Sequence, residues 1–357
     1  MNQNTFNLHR QGVSIWLDNI TRKMLDNGVL QNYISEFSVT GLTSNPSIFE
    51  AAIAKTEDYD EAIRKKSNDG LSDEEVFFNL AVEDIQRAAD LFLPAYKATN
   101  GLDGFVSIEV SPLLAFDTEN TIRSAKAIHG RVNRPNAFVK IPGTPEGLPA
   151  IERSIAEGIP INVTLLFSAG QYEEAADAYL KGIETRIAKG LNPDIRSVAS
   201  VFISRWDKAV ADKAPDGLKN KLGLAVAEKT YSSYLRFLSS ERMQKAMNFG
   251  VMPQRLLWAS TGTKDPNASD ILYVKNLVAP YTINTIPENT LHAFADHGES
   301  GHRLSGDTNP PDKIIARFWE LSVDYFQLSD QLQIEGAEAF KKSWDNLIAS
   351  IAAKRNR

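Results

Sequence analysis

Eight short, β-rich apolar runs alternate along this chain with longer segments of helical period, and that alternation leaves few folds open. The runs cover residues 14–18, 39–45, 104–111, 137–143, 161–167, 197–204, 255–261 and 281–287, with the third to fifth the clearest. Between them, residues 151–158, 169–189 and 219–237 carry Ala, Leu and aromatic side chains at i, i+3 and i+4 with charges on the other face, the mark of helices packed on one side. Ser72-Asp-Glu-Glu75 has the spacing of a capping box, so a helix is expected to start there and run through Glu83 to Leu93. The gap between the second and third runs then holds two or three helices.

This pattern predicts an α/β fold, a single (β/α)8 barrel with extra helices, with a doubly wound parallel sheet as the alternative. At roughly 150 residues per domain, 357 residues would suggest two domains, but barrels of this kind pass ~250 residues as one unit. No repeat or Gly/Ser linker divides the chain. Asn309-Pro-Pro-Asp312 is expected to break it before a long amphipathic stretch over 313–353. We therefore expect residues 1–312 to form one catalytic barrel and 313–357 a C-terminal helical extension. That extension would either pack on the barrel or make a subunit contact, as in a homodimer.

The chain has no cysteine, which removes disulfides, thiolate nucleophiles, iron–sulfur clusters and Cys-rich zinc sites, and leaves chemistry to Lys, Asp, Glu, His, Ser and Arg. A net charge of −6 without a Lys/Arg-rich block argues against nucleic acid as a partner. A small anionic metabolite held by a local cationic pair remains compatible with it. No run approaches the ~18 apolar residues of a membrane span and residues 1–11 lack the apolar core of a signal peptide, so no membrane partner and a cytoplasmic location are expected.

Strands of a parallel barrel are covered on both faces, so polar residues inside them are costly unless paired or functional. Lys140 interrupts the apolar fourth run, Glu109 lies in the third and Asp18 closes the first. Asn162 and Thr164 share one face of the fifth run, and Ser200 and Phe202 one face of the sixth. Each has a structural explanation taken alone: a helix N-cap for Asp18, an ion pair for Glu109 and Lys140, a backbone partner for Asn162. Together they recur at or near the C-terminal halves of most strands, where barrel active sites are assembled. The chemistry such a set suits is amine catalysis. A lysine in a low-dielectric interior can attack a carbonyl as the neutral amine, and the resulting protonated imine is an electron sink. Nearby carboxylates such as Asp18 and Glu109 would move the protons, and neither metal nor cofactor is required.

Arg205, just past the sixth run, and Lys264, in Ser260-Thr-Gly-Thr-Lys264 after the seventh, are either solvated surface cations or a grip on a phosphate near the late βα loops. The Gly-Thr-Lys piece lacks the first glycine of a Walker A loop. His292, His297 and His302 are spaced five and five, not the i, i+4 of two metal ligands on one helix face, and are read as loop residues after the eighth run, with no metal site expected.

Three blocks then carry a specific resemblance. They are Gly41-Leu-Thr-Ser-Asn-Pro-Ser-Ile-Phe49, Val139-Lys-Ile-Pro-Gly-Thr-Pro-Glu-Gly147 and Gly158-Ile-Pro-Ile-Asn-Val-Thr-Leu-Leu-Phe167. In this order and spacing they resemble the transaldolases, class I Schiff-base aldolase barrels, from Ser14 to about Gly298 and beyond, with a longer bacterial subgroup the nearest in kind. The resemblance implies that Lys140 is the Schiff-base nucleophile, that Glu109 and Thr164 position a catalytic water, and that Asp18 is the acid/base for a sugar hydroxyl. It implies that Asn45, Asn162 and Ser200 hydrogen-bond a dihydroxyacetone moiety, that Phe202 is an active-site aromatic, and that Arg205 binds phosphate.

Better-known members have an arginine in a Ser-Phe-Arg segment after strand seven. Here Ser260 and Lys264 stand in its place, and a lysine supplies charge without the bidentate fork. The implied partners are phosphorylated sugars and the implied activity is transfer of a dihydroxyacetone unit in the pentose phosphate pathway. Rival readings are a fructose 6-phosphate aldolase, whose members are usually much shorter, and a catalytically silent sugar-phosphate-binding barrel. A pyridoxal phosphate enzyme also needs a lysine, but its bound cofactor would absorb visible light.

Overall fold

The computed structural model describes residues 1–299, 301 and 303–355. The eight runs are eight strands: β1 (Val13–Leu17), β2 (Val39–Thr43), β3 (Val106–Glu109), β4 (Ala137–Pro142), β5 (Ile161–Leu166), β6 (Ser197–Phe202), β7 (Arg255–Ala259) and β8 (Thr282–Ile286). They pair in parallel in sequence order and close into a barrel as β8 pairs with β1. The (β/α)8 barrel expected from the alternation is therefore the fold, and the doubly wound sheet is not.

The period of two sorts the strand residues between faces. Outward residues such as Ile15, Val139, Ile141, Ile161, Val163, Ala199 and Val201 join the outer helices in the larger apolar core. Inward residues Trp16, Phe138, Val198, Leu257 and Ile283 belong to a second cluster that fills the barrel interior. Gly41 on β2 makes room for Trp16: a Cβ there would stand 2.6 Å from the Phe105 carbonyl oxygen and 2.6 Å from Trp16 Nε1. That Nε1–H donates to Asp103 Oδ1 at 2.8 Å, so the indole is not free to retreat. Gly41→Ala is expected to destabilise the barrel by about 1–3 kcal/mol, the usual range for overpacking a filled core, read as a lower denaturant midpoint.

Three helices, Pro46–Lys55, Asp60–Asn68 and Asp73–Ala98, fill the gap between β2 and β3. Ser72 and Glu75 form the expected capping box, and the helix continues through Pro94 to Ala98, beyond the expected end at Leu93. Two further details differ from expectation. The prolines after Asn309 open a helix rather than precede one: Asn309–Glu320 carries them in its first turn, where their missing N–H groups cost nothing. The amphipathic stretch after them is divided between that helix and Tyr325–Arg355, with Ser322 at φ +60° in the turn between.

His292 and His297 lie on the helix Glu288–His297, whose N-cap is Pro287, and not in a loop; His302 lies outside the described residues. His292 Nε2 is 2.8 Å from the Tyr33 hydroxyl and His297 Nε2 is 3.0 Å from Asp270 Oδ1. Among the described residues no group of His, Asp and Glu is arranged to hold a metal ion, and no helix is long and apolar enough to cross a membrane.

Candidate active site

Inward-facing positions turn polar toward the C-terminal ends of the strands, and adjacent registers bring them together. Glu109 on β3 lies beside Lys140 on β4, and Lys140 beside Asn162 on β5. Lys140, 5% exposed, forms an ion pair with Glu109 and donates to the Ser44 carbonyl at 2.8 Å. A buried pair of this kind is retained against a desolvation cost that a close apolar pair would not carry. Burial pushes the Glu109 carboxyl above its ordinary range against the opposing pull of Lys140, and the nearby Asp18 adds to the rise. Glu109 is thus a stronger base than a solvated carboxylate, well placed to take a proton from the ammonium beside it.

Behind the lysine, Ser200 donates to Asn162 Oδ1 at 2.7 Å, and Asn162 Nδ2 donates to Ser107 Oγ at 3.1 Å. Oriented by both neighbours, the Asn162 amide has one defined direction. Across the mouth, Asp18 follows β1 directly and accepts from Thr43 Oγ1 at 2.8 Å, while Thr43 Oγ1 lies 2.6 Å from Thr285 Oγ1. Burial raises the Asp18 carboxyl despite the attraction of Lys140, the bond from Thr43 and the charge of Lys264.

Two cavities share this centre. One, of about 170 Å³, is walled by Asp18, Asn45, Lys140, Thr164, Ser200 and Phe202, with Arg205, Ser260 and Lys264 at its outer side. The other, of about 10 Å³, is bordered by Glu109, Lys140 and Thr164 among otherwise apolar neighbours and has room for about one water. Thr164 lines both, and its Oγ1 is buried without a hydrogen-bond partner. Asn45 does double duty as N-cap of the helix Pro46–Lys55, accepting from Ile48 N at 3.0 Å.

Arg205, in the first turn of the helix Ser204–Ala209, sets its guanidinium over the Phe202 ring, 5.4 Å from the centroid. Among the described residues no carboxylate stands within ion-pair distance of Arg205 or Lys264, although the Glu335 charge acts on Arg205, and both cations line the cavity where an anion would meet them. Ser260 adopts φ +54° and its hydroxyl meets that of Ser204 at 2.9 Å.

All eleven residues singled out in the sequence therefore lie in one place. Nine line the larger cavity, while Glu109 borders the smaller and Asn162 stands behind Ser200. Sequence reasoning missed Thr43, which donates to Asp18, Thr285, whose hydroxyl meets that of Thr43, and Phe340, which lines both cavities from the C-terminal helix. Thr43 could have been found, since it falls inside the block 41–49. Nothing local marks Phe340, because its ring reaches the site only by tertiary packing, 6.5 Å from Phe202.

On the same helix, a Cβ on Gly336 would stand 3.0 Å from Leu165 Cδ2 and 3.3 Å from Arg205 Nη1. Gly336→Ala is expected to leave stability within about 1 kcal/mol, since gained helix propensity offsets the crowding. It should raise KM for a phosphorylated substrate several-fold by displacing Arg205, which steady-state kinetics would show.

An eight-stranded parallel barrel that gathers a buried lysine–carboxylate pair, an oriented amide and two cations at its C-terminal mouth defines an enzyme of the lysine-dependent, carbonyl-handling class. The comparison with known proteins is narrower: the family model described as Transaldolase/Fructose-6-phosphate aldolase matches residues 15–351, and the chain belongs to that family. It is 43% identical to a transaldolase of Saccharopolyspora erythraea, covering 98% of this chain and 97% of that one. A transaldolase of Parafrankia sp. is 42% identical with 96% of each chain covered. The protein called transaldolase 2 in Nostoc punctiforme is 40% identical over 97% of this chain and 96% of that one.

Proposed function

We propose that this protein is a transaldolase, moving a dihydroxyacetone unit from fructose 6-phosphate or sedoheptulose 7-phosphate to erythrose 4-phosphate or glyceraldehyde 3-phosphate through an imine on Lys140. The observation that carries the reading is the Lys140–Glu109 pair, buried beneath a polar cavity whose outer side offers Arg205 and Lys264 to a phosphate.

Proton transfer to Glu109 leaves Lys140 Nζ neutral, and its lone pair attacks the C2 ketone. The carbinolamine loses water to give the protonated imine, with Glu109 and the Thr164 hydroxyl holding that water in the small cavity between them. Asp18 takes the proton from the C4 hydroxyl, the C3–C4 bond breaks, and its electron pair enters the imine to form an enamine. Glyceraldehyde 3-phosphate leaves when fructose 6-phosphate is the donor, and erythrose 4-phosphate when sedoheptulose 7-phosphate is. The enamine carbon then attacks the acceptor's aldehyde, Asp18 returns the proton to the new hydroxyl, and water releases the product from Lys140. Asn45, Asn162 and Ser200 would hold the hydroxyls of the three-carbon unit while it waits.

Phosphorylated sugars do not cross a bilayer unaided, so the inferred site of action is the cytoplasm. Borohydride reduction in the presence of fructose 6-phosphate should leave a three-carbon adduct on Lys140, located by peptide mass spectrometry. An adduct on another lysine, or none, sinks the proposal. Steady release of free dihydroxyacetone without an acceptor would make the protein an aldolase instead.

A further inference from the structure

The C-terminal helix Tyr325–Arg355 sends one polar side chain into the strand ends. Gln333, 8% exposed, donates from Nε2 to the carbonyl of Gly143 and to that of Leu165, each at 2.9 Å. Both acceptors flank the reactive centre. Gly143 directly follows β4, three residues beyond Lys140, and its own N–H donates to the Thr164 carbonyl at 2.7 Å. Leu165 is the residue after Thr164.

The backbone at Leu165 is unusual. Strands β5 and β6 pair as far as Val163 with Ala199 and resume at Leu166 with Val201, a register shift that displaces Thr164 and Leu165 from the ladder. Leu165 takes φ +59°, a left-handed conformation that a leucine keeps only where its surroundings hold it. Gln333 supplies part of that hold. One amide group ties the end of the lysine-bearing strand to the irregular segment that presents Thr164, a residue that lines both cavities and whose buried hydroxyl has no hydrogen-bond partner. Two converging carbonyls need a donor with two hydrogens, which an amide provides, a protonated carboxyl provides by half, and a carboxylate or an alkyl group does not.

We propose that Gln333 is a positioning residue for the reaction: its clamp sets where the Thr164 hydroxyl stands relative to Glu109 and Lys140, and thereby the rates of imine formation and imine hydrolysis, the two steps that use the water between them. This rests on the assignment of Lys140 as the imine-forming residue. It makes the C-terminal helix, some 190 residues from Lys140 in sequence, part of the catalytic apparatus rather than a cover for it.

The test uses the full chain with Gln333→Leu and Gln333→Glu, measuring kcat and KM for transfer together with the rate of borohydride-trappable adduct formation in a single turnover. Gln333→Leu should lower kcat and the trapping rate about 10-fold or more, as expected for misplacement of a reacting group by a fraction of an ångström, with KM within about 2-fold. Gln333→Glu should show the same loss at about pH 8, where the carboxylate repels both carbonyls. Relative to wild type at each pH it should recover part of the loss toward about pH 5.5, as the buried carboxyl takes a proton and donates to one of them. Gln333→Leu should show no such recovery.

Wild-type kcat and trapping rates in both variants would overturn the proposal, as would a Gln333→Glu profile with no recovery at low pH. The Gln333→Glu profile decides even where Gln333→Leu folds poorly. Failure of the wild-type protein to trap substrate on Lys140 would instead strike at the assignment of the lysine, a separate and distinguishable result.

Discussion

Lys140→Met is expected to lower kcat/KM for transfer by about 10⁴-fold or more, about 5 kcal/mol of transition-state stabilisation, and to abolish the borohydride adduct. No other group in the cavity can replace an amine that forms a covalent imine, since Arg205 stays protonated and Lys264 lies at the outer side. The substitution also strands Glu109 without its cation, and breaking a buried pair in this way typically costs about 3–5 kcal/mol. Loss of activity by unfolding must therefore be separated from loss of the nucleophile. The double substitution Lys140→Met, Glu109→Gln removes the stranded charge. It should recover thermal stability relative to the single variant while staying inactive. Transfer activity in the double variant above about 1% of wild type would show that Lys140 is not the nucleophile.

Asp18→Asn is expected to cost about 10²–10⁴ in kcat, the usual contribution of a positioned general acid/base, without preventing imine formation on Lys140. Borohydride should still trap the intact sugar, because attack on the ketone precedes use of Asp18. The pH dependence follows from the direction of its shift. Burial raises both Asp18 and Glu109 above the ordinary carboxylate range, and each must be ionised to act as a base. Activity should therefore fall with decreasing pH along a limb whose midpoint lies above about 4.5.

The same shift fixes the sign of the effect on stability. A carboxyl whose folded pKa is raised binds protons more readily in the native state, so its contribution is fully present below the unfolded pKa and is lost as pH rises through the folded value. Wherever Asp18 is ionised it is a burden on the fold, and Asp18→Asn should melt no lower than wild type. A variant that melts well below wild type, or keeps full kcat, would show that Asp18 serves the structure and not the reaction.

The strands were legible because their signal is local. Eight short β-rich apolar runs set between segments of helical period were enough to mark them, and the observed strands fall within two residues of the expected bounds at every end. Lys140, Glu109 and Asn162 were legible for a related reason: in a fold that covers both faces of each strand, a charge or amide inside an apolar run stands out. Helix ends were less so. The prolines at 310 and 311, expected to break the chain, stand in the first turn of a helix that buries Phe318 in the core. The histidines at 292 and 297, expected in a loop after the eighth run, instead lie on the helix Glu288–His297, whose N-cap is Pro287.

By itself, then, the sequence determined the barrel, the strand that bears the lysine, and the residue types available for its chemistry, since each depends on neighbours a few positions apart. Tertiary structure alone decided how those residues work together. The Thr43–Thr285 contact that steadies Asp18 joins β2 to β8 across the closure of the barrel. The left-handed Leu165, the register shift beside Thr164, and the arrival of Gln333, Gly336 and Phe340 from the far end of the chain are likewise consequences of closure and packing. Interactions between residues one or two hundred positions apart leave no periodicity in a single sequence, and they are what turns a buried lysine into a defined site.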